Sequence, residues 1–551
     1  MALPAEPRFT LAFGRSRAME QTRTNGHANG SHVNGHGQSV GAYEGGIIEK
    51  RSPVTGERLG EFPITSREGV ISAVARARAA FASWRETSVE ARLVILDRIK
   101  EVVRTHGEEY ARRISEDTGK PLVDSLLTEL MSVPLYIDYY RKHAPKILAR
   151  KKVATPILFP GKTSYVEHFP VGVVGIISPW NFPFQLSMVP VVSALIAGNT
   201  VVLKPSEVTP ITGEIIAEIF RRIGIPSGVV EVVQGDGTTG AALVEAEVDK
   251  IFFTGSVATG RKVMQAASKK PIPVELELGG KDAMIICADA NLERAAKAAV
   301  WGGLVNCGQM CVSIERILVE APVHDRFVEL LRREVAKVKV GGPDEHADMG
   351  PMTFPKQIET VERHVKDAIS KGAKVLFGGE RLPRPGQFYA PTVLTDVRPE
   401  MEIYSDETFG PVLPVVKVRD VDEAVRMANE HQYGLVGSVW TKNVEKGLAI
   451  ASRMECGQVT VNDVIVSVGN PALPFGGVKS SGFGRYHGPE GLLTFTHQKA
   501  IMVDRGWAKS EPFWFPYGRK YPAMREVFHG LLSGNMARAL VGMVKLKKLG
   551  D

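Results

Sequence analysis

Three short apolar runs constrain this chain most: Val171-Gly172-Val173-Val174-Gly175-Ile176-Ile177-Ser178, Thr200-Val201-Val202-Leu203-Lys204 and Lys250-Ile251-Phe252-Phe253. Each reads as a strand buried on both faces. Helix-like stretches lie between them, at Leu186–Ala197 and Ile211–Ile223, with a further strand at Val229–Gln234. A strand apolar on both faces needs cover on both, which helical crossovers supply, so the rhythm predicts a parallel α/β sheet. Long amphipathic helices are expected upstream at Arg67–Trp84 and Ala91–Gly107. A second alternating set from about Ala283 to Gly469 predicts a second α/β domain, as a chain of 551 residues requires more than one core. The expected site is the cleft between the two.

Composition removes several function classes. The chain is 44% hydrophobic and 23% charged, without an apolar run long enough to cross a bilayer. Its four cysteines (Cys287, Cys307, Cys311, Cys456) are too few and too irregular for a disulfide framework, which predicts a reducing, cytoplasmic setting. The Cys307/Cys311 spacing has no His or second Cys pair nearby in sequence, so no metal is expected. The net charge of +7 suggests nucleic acid only until it is located: from Arg519 onward there are seven basic and two acidic residues, hence +5 in the tail. The body is nearly neutral and is not expected to bind nucleic acid. Residues 1–45, with Asn25-Gly26-His27-Ala28-Asn29-Gly30 and no secretory apolar region, read as a disordered arm.

The chemistry-bearing segments are scattered. Asn306-Cys307-Gly308-Gln309-Met310-Cys311 offers a thiol, which alone is usually just a small buried side chain. Glu277 in Val274-Glu275-Leu276-Glu277-Leu278-Gly279-Gly280-Lys281 offers a carboxylate, and Asn181 in Pro179-Trp180-Asn181-Phe182-Pro183 an amide donor. A thiol, a carboxylate and an amide donor are what attack on a carbonyl and release of an acid require. Phe253-Thr254-Gly255-Ser256 follows a strand and opens a helix, where backbone N–H groups can meet a phosphate, although a plain turn would look the same. Lys204 and Glu207, just past another strand, suit ribose hydroxyls or form a solvated surface pair. A carboxylate there repels a 2′-phosphate, which favours NAD over NADP.

Together the motifs resemble the aldehyde dehydrogenase superfamily from roughly Ile47 to Met502. They are Pro179-Trp180-Asn181-Phe182-Pro183, Lys204-Pro205-Ser206-Glu207, Phe253-Thr254-Gly255-Ser256, Glu277-Leu278-Gly279-Gly280-Lys281, Gly308-Gln309-Met310-Cys311, Glu407-Thr408-Phe409-Gly410-Pro411 and Pro474-Phe475-Gly476-Gly477. The resemblance implies an α/β fold with a Rossmann-like NAD-binding domain (residues 46–151 and 171–281) and an α/β catalytic domain (282–490). It also implies a small bridging β-sheet (152–170 and 491–503) and a homodimer or homotetramer. Residues 504–551 are left over as a C-terminal extension. The resemblance further implies that Cys311 attacks the aldehyde, that Asn181 and the Cys311 N–H hold the oxyanion, and that Glu277 activates water against the thioester. It places Ile177, Trp180, Lys204, Glu207, Gly255, Ser256, Glu407 and Phe409 around NAD, with NADP as the alternative.

Substrate choice is less legible. Phe182, Leu186 and Val189 are expected to line the way in, and no Arg stands among Phe184-Gln185-Leu186-Ser187-Met188-Val189 to pair a distal carboxylate. Asn462-Asp463-Val464-Ile465 and Leu473-Pro474-Phe475-Gly476-Gly477-Val478 resemble the class 3 branch, which includes fatty and aromatic aldehyde enzymes. An apolar small-molecule aldehyde is therefore expected. The rival readings are a semialdehyde dehydrogenase and a non-catalytic binding protein on the same scaffold. From Tyr521 to Leu549 apolar residues recur at helical spacing up to the basic end Lys545-Leu546-Lys547-Lys548, reading as one amphipathic helix, weakened by Gly530, Gly534 and Gly542, that packs on the body or makes peripheral membrane contact.

Overall fold

The computed structural model describes residues 46–159, 161–507 and 509–550, so the predicted N-terminal arm (1–45) lies outside the described residues. The predicted buried strands form a six-stranded sheet in the spatial order Val230–Val232, Thr200–Lys204, Val173–Ile177, Lys250–Thr254, Val274–Glu277, Gly482–Phe483. Its first five strands are parallel; Gly482–Phe483 returns from far downstream and pairs antiparallel. Strand order reverses at Val173–Ile177, and in such sheets ligands bind beyond the carboxyl ends at that reversal. Ile177, Lys204, Thr254 and Glu277 all stand at carboxyl ends. The fold is thus α/β with a Rossmann-like sheet.

A second, seven-stranded sheet runs Lys374–Phe377, Thr392–Thr395, Val412–Val418, Ile314–Glu320, Asp282–Ile286, Val436–Trp440, Gln458–Val461, all parallel except the first. Lys151–Val153, Thr163–Pro170 and Thr496–Val503 make a small antiparallel sheet. One large core underlies much of both major sheets, and a second lies beneath the helix Arg67–Trp84. Leaving Val274–Glu277, the chain passes Leu278-Gly279-Gly280-Lys281 directly into Asp282–Ile286 of the second sheet. The carboxyl end of one sheet is thereby tied to the amino end of the other.

Two helical expectations need correction. The helix expected over Ala91–Gly107 runs Val89–Thr118, continuing through Gly107 and stopping at Gly119, whose φ of 82° no L side chain adopts readily. The tail is not one helix but two, Tyr521–Leu532 and Met536–Gly550, broken at Gly534 (φ 67°). A Cβ on Gly530 would overlap the backbone of Ala539, and one on Gly542 would come within 2.7 Å of the Val527 backbone nitrogen. These glycines do not weaken a single helix; they let two helices cross closely.

Candidate active site

The loop carrying Cys311 lies between the helix Leu292–Leu304 and the strand Ile314–Glu320. Asn306, Cys307 and Gly308 are left-handed in succession, with φ of 51°, 58° and 69°. For the two non-glycine residues this costs about 1–3 kcal/mol each, so the surroundings must enforce it. They do. Asn306 Nδ2 donates to Asn181 O (2.9 Å) and Gln309 O (3.1 Å), and Gln309 Nε2 donates back to Asn306 O (2.9 Å). Thr353 N–H donates to Gln309 Oε1 (2.8 Å), and Asp124 accepts the Asn306 N–H. A Cβ on Gly308 would overlap the Gly410 carbonyl, so only glycine fits between this loop and the Glu407 loop.

Asn181 is fully buried, and its Nδ2 donates to Gln309 O at 3.1 Å, which brings the amide donor onto the thiol's own loop. The primary amide has a second N–H to offer. Glu277 is also buried, and neither carboxylate oxygen has a hydrogen-bond partner among the described residues. Burial, then the charge of Glu275, push its carboxyl well above the usual range, with Arg485 pulling the other way. Glu275, on the same face of the strand, is paired instead with Lys250 (3.1 Å) and accepts from Thr494 (2.7 Å). Of two adjacent carboxylates, one is neutralised and the other left unpartnered, which is the condition for a proton carrier. Burial, and then the charges of Asp282, Glu407 and Glu277, raise the Cys311 thiol; at rest it is protonated.

Gly279 and Gly280 make the convergence sterically possible. A Cβ on Gly279 would overlap the Glu407 carboxylate, and one on Gly280 would overlap the Cys311 carbonyl. Gly280 N–H donates to Glu407 Oε1 (2.9 Å), and burial beside Glu315 pushes Glu407 up to about 8. Phe409, left-handed at φ 51°, sets its ring 5.5 Å from that of Trp180. At the sheet's other carboxyl ends, Lys204 Nζ pairs with Glu207 (2.9 Å). A side chain at Gly240 would fill the space near Lys204 Cδ (3.8 Å) and Ile177 Cδ1 (4.0 Å), and Gly237 opens its helix with nothing within 4 Å of its Cβ position. That glycine-lined floor, at the strand-order reversal, fits a dinucleotide. Gly255 lies against the Phe253 ring, while the Ser256 hydroxyl caps its own helix by accepting from Thr259 N–H (3.3 Å). Among the described residues no group of His, Cys, Asp and Glu could hold a metal ion.

Several positioning residues had no sequence signal. Lys120 and Glu129 form a wholly buried ion pair (2.6 Å). Lys120 Nζ also donates to Asn181 O (2.8 Å) and lies 4.3 Å over the Phe182 ring. Glu129 accepts from Phe184 N–H (3.1 Å) and Gln185 N–H (2.9 Å), so the pair clamps both ends of the Asn181 turn. Lys281 pairs with Glu315 (2.6 Å), which accepts from Phe409 N–H (2.8 Å) and fixes the Glu407 loop. Only Gly235-Asp236-Gly237-Thr238-Thr239-Gly240, glycine-rich after a strand, could have been noticed in advance. Lys120→Met should strand Glu129 as an unpaired buried charge and destabilise the fold by about 3–5 kcal/mol, measured by urea denaturation. An unchanged denaturation midpoint would mean the pair does not hold the turn.

Of the residues expected to line the way in, Val189 is packed completely inside the core, while Phe182 and Leu186 are buried much as Asn181 and Glu277 are. Exposed apolar surface lies instead on the neighbouring segment: Val123 (69%), Leu127 (52%), Met131 (53%) and Leu135 (51%) are exposed at four-residue spacing. This segment contains a π-helical turn, Ser125–Leu130, and carries Asp124 and Glu129, which hold the Cys311 loop and the Asn181 turn.

Residues 42–501 match the sequence profile of the aldehyde dehydrogenase family. A 4,4'-diapolycopene aldehyde oxidase from Methylomonas sp is 44% identical over 467 residues, covering 85% of this chain and 87% of that protein. A Mycolicibacterium smegmatis protein provisionally named succinate-semialdehyde dehydrogenase (NADP+) is 40% identical over 456 residues, covering 82% and 87%. Among solved structures, a Mycobacterium tuberculosis aldehyde dehydrogenase complexed with NAD+ superposes with a TM-score of 0.80 at 36% identity, covering 84% of this chain and 96% of that one.

Proposed function

The chain belongs to the aldehyde dehydrogenase family, and we propose that it oxidises apolar aldehydes, medium- or long-chain aliphatic or aromatic, to carboxylic acids. It is an NAD(P)-dependent oxidoreductase. Held by the residues named below, NAD would supply the acceptor for the hydride lost from the aldehyde carbon; the remaining work falls to the chain. Cys311, once its thiol proton has passed to solvent, adds to the carbonyl carbon, and Asn181 with the Cys311 N–H takes the developing oxyanion; the C=O bond re-forms as the hydride leaves, giving the thioester. Glu277, unpartnered and high in pKa, takes a proton from the water that splits the Cys311 thioester. Lys204, Glu207 and the floor of Ile177 and Gly240 would hold the adenosine side, Gly255 and Ser256 the phosphates, and Trp180, Glu407 and Phe409 the nicotinamide side. The Glu207 carboxylate supports NAD over NADP.

The observation carrying the substrate class is the exposed Val123/Leu127/Met131/Leu135 stripe on the segment that braces both reactive loops. It offers an extended apolar tail a wall to lie on, burying area worth about 25 cal/mol per Å², and the segment from Leu122 to Tyr140 carries no Lys or Arg of its own for a distal carboxylate. In the same reading, residues 46–151 and 171–281 are the NAD-binding domain and 282–490 the catalytic domain. Residues 152–170 and 491–503 bridge subunits of a homodimer or homotetramer, and the C-terminal extension makes peripheral membrane contact. The test is NADH formation with hexanal, hexadecanal, benzaldehyde and succinic semialdehyde, each with NAD and with NADP. We expect kcat/KM to rise with apolar length and to be higher with NAD. A preference for succinic semialdehyde would replace this substrate assignment.

A further inference from the structure

The C-terminal extension takes no part in the site described above. Few contacts hold it to the body: Lys162 pairs with Asp504 (2.6 Å) and Glu511 (2.9 Å), and the Phe159 and Phe513 rings lie 6.2 Å apart. Leu158 packs on a small core of Ala523, Val527 and Leu546. The helices have 12 and 15 residues, where spanning a bilayer takes about 20. No helix among the described residues is long and apolar enough to cross a membrane.

The close crossing at Gly530 and Gly542 encloses Val527 and Leu546 with Ala523 but leaves other large apolar side chains outside. Tyr521, Phe528 and Leu532 are exposed on the first helix, and Leu540, Val541 and Val544 on the second. The preceding loop exposes Trp514, Phe515 (79%) and Tyr517. A hairpin in contact only with water would carry polar groups at such positions. Charge is distributed as unusually as the apolar surface. Among the described residues the acidic side chains of the extension are already paired, Glu526 with Arg538 (2.6 Å) and Asp504 and Glu511 with Lys162. Arg519, Arg525, Lys545, Lys547 and Lys548 are exposed and make no ion pair among the described residues.

We propose that this hairpin, with its aromatic leader, is an interfacial docking element that seats the enzyme on an anionic lipid bilayer. Exposed aromatic rings suit the headgroup boundary, aliphatic side chains the acyl edge beneath it, and unpaired Lys and Arg the anionic headgroups. A second copy of the chain is the weaker occupant, because it would bring two cationic surfaces together. The benefit to the enzyme rests on the apolar-aldehyde reading, since such aldehydes partition into the bilayer; the docking itself does not, and is measured without substrate.

The test is co-sedimentation of the full-length protein with phosphatidylcholine vesicles, with and without phosphatidylserine. We expect binding to the anionic vesicles, weakened by salt, and little to the neutral ones. Two full-length variants, Trp514→Ser/Phe515→Ser and Lys545→Glu/Lys547→Glu/Lys548→Glu, should each bind about tenfold or more weakly. Both should keep wild-type rates on hexanal, which reports that they fold. No binding by wild type, or equal binding by both variants, overturns the proposal. So does concentration-dependent self-association that the variants lose, without vesicle binding, which would assign the surface to a second copy. Failure of the apolar-aldehyde reading would appear separately, as no turnover of detergent-solubilised hexadecanal by a protein that still binds vesicles.

Discussion

Cys311→Ala should reduce NADH formation to near background, a loss of roughly 10⁴- to 10⁶-fold, because no other group replaces the nucleophile. Cys307 is four residues away, buried, left-handed, and with its Sγ 3.6 Å from the Met352 sulfur. It points into packing and should not rescue the variant. The resting Cys311 thiol is held above its ordinary pKa by burial and three carboxylates, so in wild type the acylation rate should climb as pH rises through the neutral range. Asn181→Ala should cost less, about 100- to 1,000-fold, because it removes one oxyanion donor and keeps the nucleophile. Single-turnover NADH absorbance measures all three. Substantial steady turnover by Cys311→Ala would show that the thiol is not the nucleophile.

Glu277→Gln should separate the two halves of the reaction. If Glu277 activates the hydrolytic water, the first equivalent of NADH should still form as a burst while steady-state turnover falls about 100- to 10,000-fold. A variant losing burst and steady state equally would place Glu277 in the first half only. The same substitution carries a stability signature. A carboxyl raised in the folded state binds its proton more tightly there than in the unfolded chain. Its contribution to stability is therefore full below the unfolded pKa and lost as pH rises towards the folded one. Glutamine carries no such loss, so Glu277→Gln should melt higher than wild type above the ordinary glutamate range and converge with it in acid. Differential scanning calorimetry across pH measures this. No convergence at low pH would mean the carboxylate is not what the fold tolerates at a cost.

The buried strands were legible because a strand covered on both faces must be apolar at every position, and Val173–Ile177, Thr200–Lys204 and Lys250–Thr254 nearly are. The Lys120–Glu129 pair was not legible. Nothing in a lysine just past the end of one helix and a glutamate nine residues on, in the π-helical turn, says that both will be fully buried against the Asn181 turn. Gly530 and Gly542 misled for a related reason: read along the chain a glycine weakens a helix, but across a crossing it admits another backbone. Val189 failed as a channel residue because its neighbours in sequence do not reveal which helix face meets the core.

Local chemistry is written in the chain. Its sequence alone determined the alternating α/β class, the glycine-lined strand ends, and the thiol, carboxylate and amide to watch, because each depends on residue type and short spacing. Only the tertiary structure decided that Glu275 is neutralised while Glu277 is not, that the segment bracing the reactive loops exposes an apolar stripe, and that the tail folds into a hairpin with much of its apolar surface outward. Those outcomes depend on which charges meet and which surfaces lose water, and both are set by contacts between residues far apart in sequence.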